Sequence, residues 1–356
     1  MGTLISEGSI RLKISGIKKI SKQMGVFYNP VMCLNRDISV LLLNSIAKNN
    51  LQIADPLAAS GVRSIRFLRE LAKGKIKNIS INDHGKDAAI SIKNNLALNK
   101  IQCKNNKKIM ISNQDANLFL LGSAGFDYID IDPFGSPNFL LNNAIVRLAR
   151  GGILAVTATD TSALCGTFPQ ACIRKYWALP RRAALMHETG LRILIRKIQL
   201  VAAQYDKALT PIFSYSKEHY MRTFLINEKG KGKADAILKL HGMLDDAGPM
   251  WLGKLWDQKL AGNMHKNAVN NNILNKNNDL IKFLKTIKEE SKIGTVGFYD
   301  LNGICKKNKI KNLQKKELIK NKIKKSGYKA SGTHFKSEGI RSDIPLNKLI
   351  RIIKNK

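Results

Sequence analysis

Residues 51–66 read Leu-Gln-Ile-Ala-Asp-Pro-Leu-Ala-Ala-Ser-Gly-Val-Arg-Ser-Ile-Arg. The apolar opening predicts a short buried strand, the Pro, Ala, Ser and Gly residues predict a turn, and the segment from Arg63 predicts a helix. Outward from this unit the pattern recurs, with further strands predicted at 79–81, 108–111, 126–131 and 153–157. Strands that alternate with helices at this spacing favour a parallel sheet built from right-handed crossovers.

A long helix and two further β-type segments complete the predicted sheet, and a second, smaller domain follows it. A helix predicted from Arg181 to about Tyr205 is followed by two β-type segments at 210–215 and 219–227. We therefore predict an α/β fold, with a Rossmann-like, seven-stranded and mostly parallel sheet in a first domain of residues 1–228. The glycine-broken basic run at 229–233 marks the boundary, and residues 229–356 are predicted to form a smaller basic α+β domain.

The charge of the chain needs a polyanionic partner. It holds 60 Lys and Arg against 26 Asp and Glu, a formal net charge of +34, and half of this excess lies in residues 251–356. Nucleic acid is the partner that this balance favours, because each basic group set against a phosphate releases a condensed counterion. The alternative is a Lys-rich, solvated surface without a partner.

Other features of the sequence indicate the cellular compartment of the protein. No run of about 18 uncharged apolar residues is present, so we expect no membrane-spanning helix. The first residues lack the basic and apolar regions of a secretory signal. The five cysteines (33, 103, 165, 172 and 305) form no Cys-x-x-Cys pair, which favours reduced thiols and a cytoplasmic location.

Acidic residues follow four successive predicted strands: Asp55, Asp83, Asp115 and Asp132. In an open parallel sheet, ligands bind outside the carboxyl ends of the strands, and a carboxylate after the second strand can accept hydrogen bonds from ribose hydroxyls. We assign that role to Asp83. The alternative is helix capping, which is the usual role of a single Asp at such a position.

The turn after the first strand indicates which nucleoside-containing cofactor the site binds. It has no G-x-G-x-x-G pattern, and its small residues, Ala58 and Ala59 among them, allow a ligand to approach the backbone without wrapping a pyrophosphate. A cofactor without phosphate fits this turn, which favours S-adenosylmethionine over NAD or ATP. Carboxylates are also favourable beside a sulfonium cation.

The turn Asp132-Pro-Phe-Gly135 carries the strongest chemical signal. Asp-Pro-Phe after the fourth strand is typical of enzymes that methylate exocyclic amino groups. The Asp can accept an N–H hydrogen bond and then the proton, the Pro stiffens the loop, and the Phe offers a face to a flipped base. The alternative is an apolar turn with a capping Asp.

At this point the sequence resembles the tRNA (guanine(26)-N2)-dimethyltransferases of archaea and eukaryotes. The motifs that carry the resemblance are distributed along most of the chain: 27–39, 58–66, 129–137, 157–160, 164–166, 187–194, 219–222, 247–253, 333–335 and 340–345. It implies a class I methyltransferase domain, S-adenosylmethionine as cofactor, tRNA as the partner, and methyl transfer to N2 of guanosine 26. It implies no obligatory protein partner.

The resemblance also assigns residues. Asp132 matches the catalytic aspartate, and Phe27 and Phe134 match aromatic residues that hold the guanine. The positions that match cofactor contacts are Arg36, Arg66, Asp83, Asp115 and Ala116. We also assign Ala59, in the turn after the first strand, to the cofactor site. For Arg36 the alternative is a surface ion pair, and for Phe27 it is ordinary core packing. His187 and Glu188 are interpreted as structural or RNA-facing.

One departure from the family concerns a metal. Many members carry a four-cysteine zinc module before the Ala-Gly-Pro-Leu-Trp-Leu-Gly segment, whereas residues 237–246 here contain no cysteine and one histidine. A structural zinc site needs four ligands, so we predict no metal. Gly332 stands where the family often has Arg.

Two rival functions stay open at this stage. One is a guanine-N2 methyltransferase that acts elsewhere in tRNA, on rRNA, or on amino groups of DNA. The other is a catalytically idle RNA-binding scaffold. The motifs also leave open mono- against dimethylation and modification of position 27.

Overall fold

A computed structural model describes residues 3–14, 28–102 and 107–354. A short antiparallel hairpin comes first, with strands β1 (Thr3–Glu7) and β2 (Ile10–Ile14). The central sheet follows, and its seven strands are β3 (Leu51–Asp55), β4 (Ile76–Asn82), β5 (Ile109–Ser112), β6 (Phe126–Ile131), β7 (Leu148–Ala158), β8 (Lys207–Lys217) and β9 (Tyr220–Lys229).

The order of the strands in this sheet is β5-β4-β3-β6-β7-β9-β8. The first five run parallel, and β9 lies antiparallel between β7 and β8. The predicted seven-stranded, mostly parallel α/β sheet is therefore confirmed. Strands such as β6 are buried on both faces because helices cover both sides, and Tyr128 on one face and Ile129 on the other are fully buried.

Helices connect and flank the strands. Those of the large lobe are α1 (Cys33–Ser45), α2 (Val62–Glu70), α3 (Ala88–Leu98), α4 (Ala116–Leu121), α5 (Asn138–Arg147), α6 (Thr161–Leu164), α7 (Pro169–Tyr176), α8 (Met186–Ala203), α9 (Lys231–Leu238), α10 (Gln258–Val269) and α11 (Asn278–Glu290). A hairpin of β10 (His241–Leu244) and β11 (Ala247–Trp251) lies between α9 and α10. None of the described helices combines the length and apolarity needed to cross a membrane.

The helix predicted from Arg181 begins five residues later, at Met186. Just before this stretch, a pair of backbone hydrogen bonds, Leu179 N to Gly248 O (2.7 Å) and Gly248 N to Leu179 O (2.8 Å), holds the chain extended against β11. The local sequence does not indicate this contact, because Gly248 is 69 residues away.

The C-terminal module consists of β12 (Tyr299–Asp300), α12 (Leu301–Lys307), α13 (Lys316–Lys325), β13 (Ala330–Gly332), β14 (Gly339–Ser342) and α14 (Leu346–Lys354). Its three strands form a small antiparallel sheet in the order β12-β14-β13. A separate apolar cluster runs from Leu301 to Ile353. Residues of α9 to α11, such as Met264 and Leu284, pack instead into the core of the large lobe. The predicted domain boundary at residue 229 stays a prediction.

A buried ionic network joins the module to the large lobe. Arg341 of β14 donates to Glu188 of α8 (Nη2 to Oε2, 2.6 Å) and to Glu290 at the end of α11 (Nε to Oε1, 3.1 Å). Arg192 also contacts Glu188, at 2.9 Å. Burial alone would raise the pKa of Glu188, but Arg341 and Arg192 hold that pKa at about 2. Glu188 is therefore structural, whereas His187 lines a separate shallow cavity.

We predict that Arg341→Met destabilises the protein by about 3–5 kcal/mol, because the change removes one partner of buried charged groups. Urea unfolding followed by circular dichroism measures the loss. Arg351→Met on the exposed face of α14 is the matched control, and it is expected to change stability by no more than about 0.5 kcal/mol. Equal losses in the two variants would show that the network contributes nothing to stability.

Candidate active site

A cavity of about 530 Å³ opens at the carboxyl ends of β3, β4 and β6. This is the position at which an open parallel sheet binds ligands, and the volume lies in the range of about 300–1,000 Å³ that small-molecule sites have. Its wall combines acidic, basic and apolar groups. The lining includes Asn29, Arg36, Asp55, Ala58, Ala59, Arg63, Asp83, Asp132 and Phe134.

The turn after β3 is built around Asp83. Ala59 and Gly61 adopt left-handed backbone conformations (φ +48° and +77°). As a result Ala59 N donates to Asp83 Oδ2 at 2.8 Å, while Gly85 N donates to Asp83 Oδ1 at 2.9 Å. Each carboxylate oxygen has two lone pairs, so both oxygens keep acceptor capacity after these bonds. At the cavity wall, the Asp83 carboxylate can accept two further donors.

The second side of the cavity is the loop from Asp132 to Gly135. Gly135 N donates to Thr159 Oγ1 at 2.6 Å, and Thr159 N donates to Gly135 O at 3.0 Å. These bonds attach the loop to the end of β7. The Asp132 side chain is 20% exposed and the Phe134 residue is 43% exposed, and both line the cavity. An acceptor carboxylate and an aromatic face thus stand side by side.

Charged groups that the sequence analysis missed lie behind Asp132. Arg63 Nη2 contacts Asp132 Oδ2, and Arg63 Nε lies 3.3 Å from Asp130 Oδ1. Asp130 in turn accepts from Arg222 Nη2 at 2.6 Å. One signal was available for Asp130, because residues i and i+2 of a strand share a face and Asp130 precedes Asp132 by two. Nothing in the local sequence connects Asp130 or Asp132 with Arg222.

Asp55 is the third carboxylate at the cavity. It is buried and accepts from Ser64 Oγ at 2.7 Å. Burial raises the pKa of Asp55 to about 7, although the positive charge of Arg63 opposes the rise. Near neutral pH this group is therefore only partly ionised, which limits the negative charge that accumulates in the cavity.

Arg36 reaches the cavity already paired. Its guanidinium donates to both oxygens of Glu7, from Nε at 2.6 Å and from Nη2 at 2.5 Å, and Nη2 also donates to Asn29 O at 3.0 Å. The ion pair is buried, with about 5% of the Arg36 side chain exposed. Burial would raise the pKa of Glu7, but Arg36 and Arg66 hold it below its usual range.

Three predicted site residues lie outside the described cavity wall. Arg66 is fully buried and pairs with Glu7, Asp37 and Glu70, and it does not line the cavity. Asp115 caps α4 by accepting from Asn117 N at 2.8 Å and Leu118 N at 3.2 Å, and Ala116 is the first residue of that helix. Neither is part of the described cavity wall. Phe27 lies outside the described residues, so the four assignments stay predictions.

A metal site was not expected. In residues 3–14, 28–102 and 107–354, no group of three or more His, Cys, Asp or Glu side chains is placed to hold a metal ion. Where related sequences carry zinc cysteines, α9 and the β10–β11 hairpin pack on α8, and His241 Nε2 lies 2.8 Å from Gln199 Oε1. Whether the protein lacks zinc in solution stays a prediction.

Known proteins match the chain over nearly its full length. A sequence model of the N2,N2-dimethylguanosine tRNA methyltransferases matches residues 8–246 and 239–354. The tRNA (guanine(26)-N(2))-dimethyltransferase of Methanosphaera stadtmanae is 35% identical over 98% of this chain and 96% of its own. The tRNA (guanine(26)-N(2)/guanine(27)-N(2))-dimethyltransferase of Aquifex aeolicus is 36% identical over 98% and 95%.

The fold matches as well. The structure of Trm1 from Pyrococcus horikoshii in complex with S-adenosyl-L-methionine superposes with a TM-score of 0.89 and 35% identity. The match covers 99% of this chain and 100% of that one. The resemblance drawn from the motifs is confirmed: the chain belongs to the N2,N2-dimethylguanosine tRNA methyltransferase family.

Proposed function

We propose that this protein transfers methyl groups from S-adenosylmethionine to the exocyclic N2 of guanosine 26 in tRNA, and that Asp132 accepts the amine proton. The observation that carries the proposal is the pairing, in one cavity, of the Asp83 turn with the Asp132–Phe134 loop. The names of the relatives support the reaction and the tRNA position. The Pyrococcus horikoshii complex supports the cofactor.

The turn side of the cavity fits the cofactor. Asp83 retains lone pairs for the two ribose hydroxyls, and the small side chains of Ala58 and Ala59 leave room for a nucleoside against the backbone. Arg36 is a basic group of the wall, and we assign it to the methionine carboxylate alongside its partner Glu7. Bound S-adenosylmethionine supplies a methyl group on a positively charged sulfur, which leaves as a neutral thioether.

The loop side fits the base. An aromatic amine is a weak nucleophile because its lone pair is delocalised into the ring. Asp132 Oδ2 faces Arg63, and Oδ1 has no hydrogen-bond partner among the described residues. We assign Oδ1 to the N2–H group, from which it takes the proton as the new C–N bond forms. Phe134 stacks on the flipped guanine, together with Phe27.

The basic C-terminal part fits the tRNA. Residues 251–356 hold half of the net charge of +34. In the C-terminal module, α13 presents Lys322, Lys324 and Lys325 in its last turn. Such groups bind phosphates irrespective of sequence and position the duplex. The same role implies a cytoplasmic location, without an obligatory protein partner.

We predict that Asp132→Asn lowers kcat by about 10²–10⁴-fold, because the amide cannot take the proton. Affinities for S-adenosylmethionine and tRNA are expected to change little. Tritiated methyl transfer to unmodified tRNA, followed by nucleoside mapping, measures turnover. The mapping also reports whether position 27 is modified, a position that the name of the Aquifex aeolicus relative includes. Asp127→Asn is the matched control, since Asp127 lies at the amino end of β6, the strand that Asp132 follows, and accepts a hydrogen bond from Gln52 N. Wild-type turnover in Asp132→Asn would contradict the assignment.

A second prediction concerns the cofactor. Asp83→Ala removes the ribose acceptor and both anchors of the turn, so the Kd for S-adenosylmethionine is expected to rise by about 10–100-fold. Isothermal titration calorimetry measures the change. Asp87→Ala is the control, because this exposed neighbour makes no capping hydrogen bond with α3. An unchanged Kd in Asp83→Ala would place the ribose elsewhere.

A further inference from the structure

Asp132 is the outer end of a row of alternating charges. The row consists of Arg222 (β9), Asp130 (β6), Arg63 (α2) and Asp132. Arg222 donates to both oxygens of Asp130, at 3.0 and 2.6 Å. Arg63 lies between the two aspartates, 3.3 Å from Asp130 and in contact with Asp132. The first three members are buried, and Arg63 lies in the cavity wall behind Asp132, whose carboxylate is partly exposed.

Arg63 is fixed on every side. Its Nη1 donates to Asn35 Oδ1 at 2.9 Å and to Ser39 Oγ at 3.0 Å, both on α1. Its Nε faces Asp130, which leaves Nη2 directed at Asp132 Oδ2. A guanidinium is planar, so these contacts on α1 and β6 determine where Nη2 points. The Asp132 carboxylate is thereby oriented through one of its two oxygens.

The two aspartates depend on Arg63 to different degrees. Asp130 has Arg222 as a second cation and accepts a hydrogen bond from Tyr128 Oη at 2.6 Å. For Asp132, Arg63 is the one ion-pair partner in the described part of the chain. A role limited to neutralising Asp130 would duplicate that of Arg222. The contact that no other residue duplicates is the one to Asp132.

We propose that Arg63 is the positioning residue of the reaction. It binds Asp132 Oδ2 and so presents Oδ1 in a fixed orientation to the N2–H group of the guanine. The inference rests on the proposed function of Asp132. The orientation of the acceptor is then set from behind, by a largely buried guanidinium that acts on the amine through Asp132.

The test compares Arg63→Met with the wild type in steady-state and single-turnover methyl transfer to tRNA. We expect kcat to fall by about 10²-fold, the size of effect that a misplacement of about 1 Å produces, while KM for tRNA and Kd for S-adenosylmethionine stay within about threefold. Arg63→Lys is expected to recover part of kcat, because lysine restores the charge beside Asp132 but not the planar fork.

Arg192→Met is the matched control for the loss of a buried arginine. Like Arg63, Arg192 shares its carboxylate, Glu188, with a second arginine, but it lies outside the cavity wall. We expect folded Arg192→Met to keep kcat within about threefold of the wild type. A fall in kcat for Arg63→Met no larger than for this control, or a rise in KM with unchanged kcat, would overturn the inference.

A double-mutant cycle separates this inference from the proposed function. If Arg63 acts through Asp132, Arg63→Met added to Asp132→Asn costs little further kcat, whereas independent roles give multiplied losses. Multiplied losses would overturn the positioning role and leave the role of Asp132 intact. Wild-type kcat in Asp132→Asn alone would instead refute the proposed function.

Discussion

The contact between the Arg63 guanidinium and the Asp132 carboxylate is the interaction on which the site depends. Asp130 and Asp132 lie on two sides of the same guanidinium, and two carboxylates this close repel each other unless a cation lies between them. Arg63 supplies that cation, and α1 and β6 hold it in place. The parallel sheet contributes the geometry, since it brings the ends of β3, β4 and β6 to one edge.

Those parts of the candidate site that lie in short motifs could be predicted from the sequence. The turn after β3, Asp83 and the Asp132–Phe134 loop were all predicted from short motifs, and the structure brings them together in one cavity. They were predictable because each follows directly from a strand end. Asp115 follows the same rule, yet its side chain caps α4, so the pattern by itself does not separate a ligand-binding carboxylate from a helix cap.

Contacts between distant residues could not be predicted in this way. Arg63 and Asp132 are 69 residues apart, and Arg222 and Asp130 are 92 apart. The Leu179–Gly248 bridge and the Arg341–Glu188 pair could not be predicted for the same reason, because each depends on a partner from another element. Such pairings also join the C-terminal module to the large lobe, which places a basic surface at a fixed position relative to the cavity.

The most direct test of the account is an experimental structure of the protein with S-adenosylhomocysteine and a tRNA that carries guanosine at position 26. The account predicts that Asp132 Oδ1 lies about 2.6–3.2 Å from the guanine N2, with Arg63 on Oδ2 and Asp83 on the ribose. A guanine amine bound by any other group, with the Asp132 carboxylate turned away from it, would contradict the account.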